Sequence, residues 1–238
     1  MPIPPFGKGL SAADGYAVQK ELVRLLLADG DRIVGHKVGL TSKPMQRLIG
    51  MDSPDYGPVL ASTVYSSGAE VPMSRYIQPK IEAEIVFVLG EPLRGPGVNV
   101  LDAAQAVAGV AAAVEIVDSR IEDWRIGLAD TIADLASNGA VATSGRLVPL
   151  SDVDPRMVGM VLSRNGSVVD TGAGAAALGD PLRVVAWLAN TLGEVGVFLE
   201  PGHLIMTGAL HAAVPMEAGD VFRAEFDALG AVTVRVVA

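Results

Sequence analysis

Apolar residues along this chain recur mostly at every second position, and a few stretches show the three-to-four-residue spacing of a helix. Ser11 can cap a first helix whose stripe is Tyr16, Leu22, Val23, Leu25 and Leu26, and Gly30 ends it. Ile33 to Leu40 reads as a strand with a polar Lys37 inside it. A short helix capped by Thr41 or Ser42 then runs to Leu48, followed by a turn-rich loop from Gly50 to Pro58 that contains Asp55. Strands bracket Val59 to Tyr65 and Tyr76 to Leu89. The Ala-rich segment from Asp102 begins as a helix and passes into a strand through Glu115. Asp118 to Ala140 is polar, with mixed periodicity. Val158 to Arg164 and Ser167 to Thr171 form a hairpin, because Asn165-Gly166 suits a turn with two positive φ angles. Asp180 caps a helix over Pro181 to Leu192, and Gly193 follows its end. Alternating segments at 204–207, 221–226 and 232–236 complete the pattern. The sum is α+β: a mostly antiparallel, multi-layer β-sheet core with flanking helices.

Composition narrows the function classes. Half of the 238 residues are hydrophobic, which suits a sizeable core in one large domain. A net charge of −9 argues against nucleic acid, whose phosphates need Lys and Arg. No apolar run is long enough to span a bilayer, and Met1 to Pro5 lacks the features of a signal peptide. A cytoplasmic protein is the expectation. Cys is absent, so disulfides and thiolate chemistry are excluded, and three His argue against a His-rich metal site.

The candidate chemistry lies in acids placed among apolar residues. Glu82 and Glu84 sit two apart in Ile81-Glu82-Ala83-Glu84-Ile85-Val86, so on a strand they share a face. Glu115 has a similar setting in Val114-Glu115-Ile116-Val117. Clustered carboxylates repel, and a hard divalent cation reverses that; oxygen-only ligands suit Mg²⁺, Mn²⁺ or Ca²⁺. The plainer alternative is a Glu-x-Glu pair on a wetted strand face, and no spacing brings Glu115 to the other two. Lys37 fits either a catalytic acid–base group with a pKa lowered by burial or a lysine reaching to water. Asp55 fits a turn cap. Asp118, Arg120, Glu122 and Asp123 read as a surface salt-bridge cluster. The stretch from Gly172 to Gly179 lacks the spacing and the Lys-Ser/Thr of a phosphate loop. Ser137 and Thr207 are hydroxyls without an assigned place.

Several strings together resemble one family: Gly35-His36-Lys37-Val38-Gly39, Met51-Asp52-Ser53-Pro54-Asp55-Tyr56-Gly57, Gln78-Pro79-Lys80-Ile81-Glu82-Ala83-Glu84, Glu115-Ile116-Val117-Asp118-Ser119-Arg120, Asp130-Thr131-Ile132-Ala133-Asp134 and Val185-Ala186-Trp187-Leu188-Ala189-Asn190. The chain resembles the 2-hydroxypenta-2,4-dienoate (2-keto-4-pentenoate) hydratases of the fumarylacetoacetate hydrolase superfamily. The resemblance implies a fumarylacetoacetate hydrolase-like domain over 1–238, with an N-terminal helical or cap part at 1–58 and a catalytic β core at 59–238. It implies Glu82, Glu84 and Glu115 as Mg²⁺ or Mn²⁺ ligands, Lys37 and Asp55 as proton-transfer groups, and Ser137 and Thr207 as substrate contacts. The implied reaction is hydration of a small dienoate to 4-hydroxy-2-oxopentanoate in the breakdown of aromatic compounds. A homo-oligomer, a pentamer or decamer, is implied as well, with no nucleic-acid or membrane partner. The sister 4-oxalocrotonate decarboxylases share the metal acids and form the alternative. Leu135 stands where the family usually has Asn, and the chain starts later than many members; a low-activity, metal-binding assembly subunit is therefore a second alternative.

Overall fold

The computed structural model describes residues 1–7, 9–42, 46 and 53–238. The short helix expected to run to Leu48 and the Gly50–Asp52 part of the loop fall outside the described residues. Among the described residues the α-helices with both ends described are α1 (Ala12–Ala28), α2 (Val100–Ala106), α3 (Leu128–Ala133) and α4 (Pro181–Glu194). The strands are β1 (Ile33–Gly39), β2 (Asp55–Leu60), β3 (Val64–Ser66), β4 (Glu70–Pro72), β5 (Lys80–Leu89), β6 (Val107–Val117), β7 (Asn138–Thr143), β8 (Gly159–Arg164), β9 (Ser167–Ala173), β10 (Leu204–Met206), β11 (Val214–Pro215), β12 (Val221–Phe226) and β13 (Gly230–Val237).

Among the described residues two sheets carry the strands. The larger has the order β2-β1-β10-β5-β6-β7-β3, with β11 also paired to β5, and the smaller has the order β4-β13-β12-β8-β9. Among the described residues the pairing is antiparallel except for β1 with β10, β3 with β7 and β4 with β13. Alternation sorts β5 and β6 cleanly. Ile81, Ala83, Ile85, Phe87 and Leu89 join Val110, Ala112, Val114 and Ile116 in the main core, which also takes Met160, Leu162, Phe222 and Val234 from the smaller sheet. Fully burying such side chains contributes about 1.5–3 kcal/mol each. The other face of the larger sheet holds a smaller apolar cluster of Val59, Val86, Ala111, Ala113, Val141 and Met206. Glu82, Glu84 and Glu115 share that second face by the same alternation. Both strands therefore read as continuous apolar runs, because both of their faces are covered.

Several local expectations hold, and others change for identifiable reasons. Ser11 caps α1 in a capping box with Asp14. Asn165 and Gly166 turn the β8–β9 hairpin with φ of 54° and 83°. The α1 stripe does not face a core: its buried positions are Gly15 and Gln19, and Leu25 is 53% exposed. Gly15 permits close approach to Ala129 and Ile132 of α3, and the Gln19 amide donates to the Ile132 and Tyr56 carbonyls. Gly193 lies inside α4, where any side chain would overlap the Gly95 backbone, so it serves packing and not termination. Asp55 opens β2 instead of capping a turn, and a 3₁₀ turn at Ala61–Thr63 separates β2 from β3. A boundary at 58 falls within β2, and β1 and β2 belong to the larger sheet.

The segment read as a surface charge cluster is partly internal. Asp118 is buried and accepts from the Ile77 and Gln78 N–H groups at 2.9 and 2.8 Å. Arg120 pairs with Asp134 at 3.3 Å. The same polar stretch supplies α3 and leads into β7, which the mixed periodicity had hidden.

Candidate metal centre and active site

β5 and β6 pair with Glu82 directly opposite Glu115. Glu84 projects from the same face two residues on. One carboxylate oxygen from each residue lies within 4.8 Å of the others, and among the described residues this is the one group of acids and imidazoles so arranged. At that separation each ionised pair costs ~3.5 kcal/mol at an effective dielectric of 20. Glu84 and Glu115 are 1% and 0% exposed. Each has one anchored oxygen: Glu84 Oε2 accepts from the Gly208 N–H at 2.9 Å, and Glu115 Oε1 accepts from Asn138 Nδ2 at 2.8 Å. Glu84 Oε1 and Glu115 Oε2 are buried without a hydrogen bond. Anchored acids with free inner oxygens and no nitrogen or sulfur donor fit a hard divalent cation.

Lys37 and Asp55 come to the same place from β1 and β2. Gly39 pairs with Asp55 and shares a face with Lys37; a side chain on Gly39 would overlap Asp55 Oδ1, and that open space brings the lysine and the acid together. Lys37 Nζ lies 3.4 Å from Glu115 Oε2 and donates to the Ala136 carbonyl at 2.8 Å. Both side chains are buried, and Asp55 Oδ1 has no hydrogen-bond partner. Lys37 therefore does not reach to water.

Charge and burial set the protonation states. Burial, then the neighbouring Glu115, raises the Glu82 carboxyl to about 7. Glu84 is pushed well above the usual range by burial, then by Glu115 and Glu82. Burial raises Asp55, and Lys37 opposes it. For Lys37 burial is the largest single effect and pulls down, but Glu115, Asp55, Glu82 and Glu84 outweigh it. Its pKa is raised, contrary to the lowering expected from burial alone.

Lys37, Asp55, Glu82 and Glu84 line a cavity of about 520 Å³, and Glu115 lies buried behind them. Ser137 lines it, and its Oγ lies 3.2 Å from Thr131 Oγ1. Leu135, Ala136 and Ser137 have φ of 57°, 53° and 58°, a left-handed run that aims the Ala136 carbonyl at Lys37. Leu135 thus occupies a conformation that Asn tolerates better. Thr207 is fully buried outside the cavity lining, and its hydroxyl donates to the Ile85 carbonyl at 2.8 Å. It supports β10 against β5 and is not among the residues that line the cavity. Missing from the sequence reading were Asn138, the Gly208 N–H and Thr131. None carried a signal in the pattern; Gly208 has φ +94°, and a side chain there would overlap Thr41, so the position calls for glycine.

Residues 35–237 match the family model for the fumarylacetoacetate (FAA) hydrolase C-terminal domain. The chain belongs to the fumarylacetoacetate hydrolase family. Within the family it is 41% identical over 224 residues to a 2-keto-4-pentenoate hydratase of Burkholderia vietnamiensis, covering 94% of this chain and 86% of that one. It is 43% identical over 197 residues to a 2-hydroxypent-2,4-dienoate hydratase of Pseudomonas putida, covering 82% and 89%. The solved 4-oxalocrotonate decarboxylase from Pseudomonas putida G7, complexed with magnesium and adipate, superposes with a TM-score of 0.93 at 42% identity, over 96% of this chain and 87% of that one.

Proposed function

We propose that this protein is a divalent-cation-dependent hydratase that converts 2-hydroxypenta-2,4-dienoate to 4-hydroxy-2-oxopentanoate. The carrying observation is the Glu82–Glu84–Glu115 cluster, with Glu84 Oε1 and Glu115 Oε2 buried without hydrogen bonds, beside a cavity lined by Glu82, Glu84, Lys37 and Asp55. Hydratases at more than 40% identity over most of the chain support the reaction class. Glu82, Glu84 and Glu115 would hold Mg²⁺ or Mn²⁺. When bound, such an ion would supply Lewis-acid stabilisation of negative charge on the substrate's oxygens.

The remaining work falls to side chains. Lys37 gives a proton to C5 and takes one from the 2-hydroxyl, which turns the dienol into an α,β-unsaturated ketone; Asp55, with Oδ1 free of hydrogen bonds, takes a proton from the water that adds at C4 and returns one to C3. The Ala136 carbonyl fixes the direction of the Lys37 ammonium. Ser137 and Thr131 offer hydroxyls to the substrate's polar end. The same reading includes a homo-oligomer, a pentamer or decamer, and residence in the cytoplasm. Exposed Val18 and Leu25 on α1 are compatible with subunit burial. A monomer in light scattering at micromolar concentration would count against the oligomer, and cell fractionation tests the compartment.

A second reading, decarboxylation of 4-oxalocrotonate, is favoured by the superposition on the decarboxylase structure. One assay decides. Purified protein is given 2-hydroxypenta-2,4-dienoate and 2-oxohex-3-enedioate in parallel, with Mg²⁺, Mn²⁺ or EDTA. Metal-dependent loss of the dienoate is expected. CO₂ release from the diacid without dienoate turnover would favour the decarboxylase. Metal binding without turnover of either would leave an assembly subunit.

A further inference from the structure

The cavity holds a second cation to which no role has been assigned. Lys80 opens β5, shares a face with Glu82 and Glu84, and lines the cavity. Among the described residues it makes no ion pair. Its Nζ instead lies 4.2 Å from the centroid of the Trp124 ring. That ring is held in turn: Trp124 Nε1 donates to the Gln78 carbonyl at 3.0 Å, and the Gln78 amide donates to the Ser119 and Ile121 carbonyls. Asp123 and Trp124 both have φ of 55°, a conformation that costs free energy in residues other than glycine. A strained turn that sets an aromatic face over one unpaired lysine positions that lysine's charge.

Charge shows what the position is for. Four carboxylates, Asp55, Glu82, Glu84 and Glu115, surround the site with two ammonium groups, Lys37 and Lys80. With a divalent cation the site is formally neutral. Without Lys80 it would carry a net negative charge, and an anionic substrate would be repelled. Lys37 is already engaged by Glu115 and the Ala136 carbonyl. Lys80 is therefore the cation left for the incoming anion.

We propose that Lys80, held on the Trp124 ring, receives a carboxylate of the 2-oxo-acid substrate at the cavity mouth. This rests on the metal-site reading above. The carboxylate is either the one next to the 2-oxo group or a second one at the far end of a diacid. Because Lys80 repels the metal and attracts the substrate, removing it has opposite effects on the two. A merely structural lysine has no such signature.

The test is calorimetric titration of wild type, Lys80→Met and Lys80→Arg, first with Mn²⁺ and then, Mn²⁺-loaded, with pyruvate and with 2-oxoadipate. Lys80→Met is expected to bind Mn²⁺ roughly fivefold more tightly. It should bind pyruvate on the order of ten- to a hundredfold more weakly, with most of the loss recovered in Lys80→Arg. Loss confined to 2-oxoadipate would assign Lys80 to the far carboxylate. If both acids bind Lys80→Met within twofold of wild type, or if Mn²⁺ binds it more weakly, the proposal is overturned. Wild-type protein that takes up no Mn²⁺ would sink the metal site and this proposal together; normal Mn²⁺ uptake with unchanged acid binding would sink the Lys80 role alone.

Discussion

Replacing Glu82 by Gln should stabilise the metal-free protein while damaging its metal site. Gln keeps the shape and removes the charge. The folded protein holds the Glu82 carboxyl at about 7, against 4.5 for an ordinary glutamate. Between those values the folded state binds more protons than the unfolded one. Glu82 therefore contributes stability below pH 4.5 that is lost as pH rises to 7. Above pH 7 the whole penalty stands, at most ~3.4 kcal/mol for a shift of that size. Glu82 is partly exposed to cavity water, unlike Glu84 and Glu115. Screening there brings the expected figure down to about 2 kcal/mol. Urea unfolding at pH 8 in EDTA should show Glu82→Gln more stable by that amount, and the gap should close towards pH 4.5. Saturating Mn²⁺ should reverse the order, since wild type gains about 2.7 kcal/mol at a hundredfold excess over Kd and a site short of one acid gains less. A variant less stable than wild type at pH 8 in EDTA, or a gap that ignores pH, would refute the reasoning: Glu82 would then be stabilised by Lys37 and Lys80 more than it is penalised by its neighbours.

Other outcomes follow from the same geometry. Lys37→Met and Asp55→Asn should each lower kcat by roughly 10²–10⁴ in protein that is folded by circular dichroism, and a wild-type kcat in either would remove that residue from the mechanism. Gly57→Ala would overlap the Leu135 carbonyl, so it should cost about 1–3 kcal/mol in urea unfolding and also lower kcat by displacing the Ala136 carbonyl from Lys37. His36 is buried with Nδ1 unpartnered, and burial, then His203, pulls its pKa from 6.5 to about 3. Its neutral form supports the fold above pH 6.5, and that support drains as pH falls towards 3. Between pH 7 and 4.5 the stability difference should therefore move by about 2.5 kcal/mol in favour of His36→Gln, measured as paired urea curves.

Part of the site was legible because it is local. A period of two put Glu82 and Glu84 on one face, and no fold was needed to see it. The arrival of Glu115 was not legible in the pattern, and only the family resemblance implied it. It depends on the register of β5 against β6, with α2 in the connection between them, and no residue near Glu115 encodes that register. The Lys37 pKa went the wrong way for the same reason. Burial is a property of β1, but the acids that outweigh it come from β2, β5 and β6. Asp55-Tyr56-Gly57-Pro58 has the composition of a turn, yet it forms strand because Gly57 is needed for close approach to Leu135. β7 stayed hidden because it starts with Asn138-Gly139, turn formers by composition; here Asn138 reaches Glu115 and Gly139 packs against Tyr76.

The places where local rules failed are themselves informative. Among the described residues two runs of consecutive non-glycine residues have positive φ, Asp123–Trp124 and Leu135–Ser137, and both border the cavity. One sets an aromatic ring over Lys80, and the other sets a carbonyl on Lys37. The buried carboxylates break a different rule, that like charges be kept apart in apolar surroundings, since three acids cluster with a single lysine ion pair among them. Backbone strain and clustered like charge are independent costs, and chance gives no reason for them to coincide. A fold that bears both in one cavity, on the sheet face away from its main core, has its stability set by the main core and its chemistry by the opposite face.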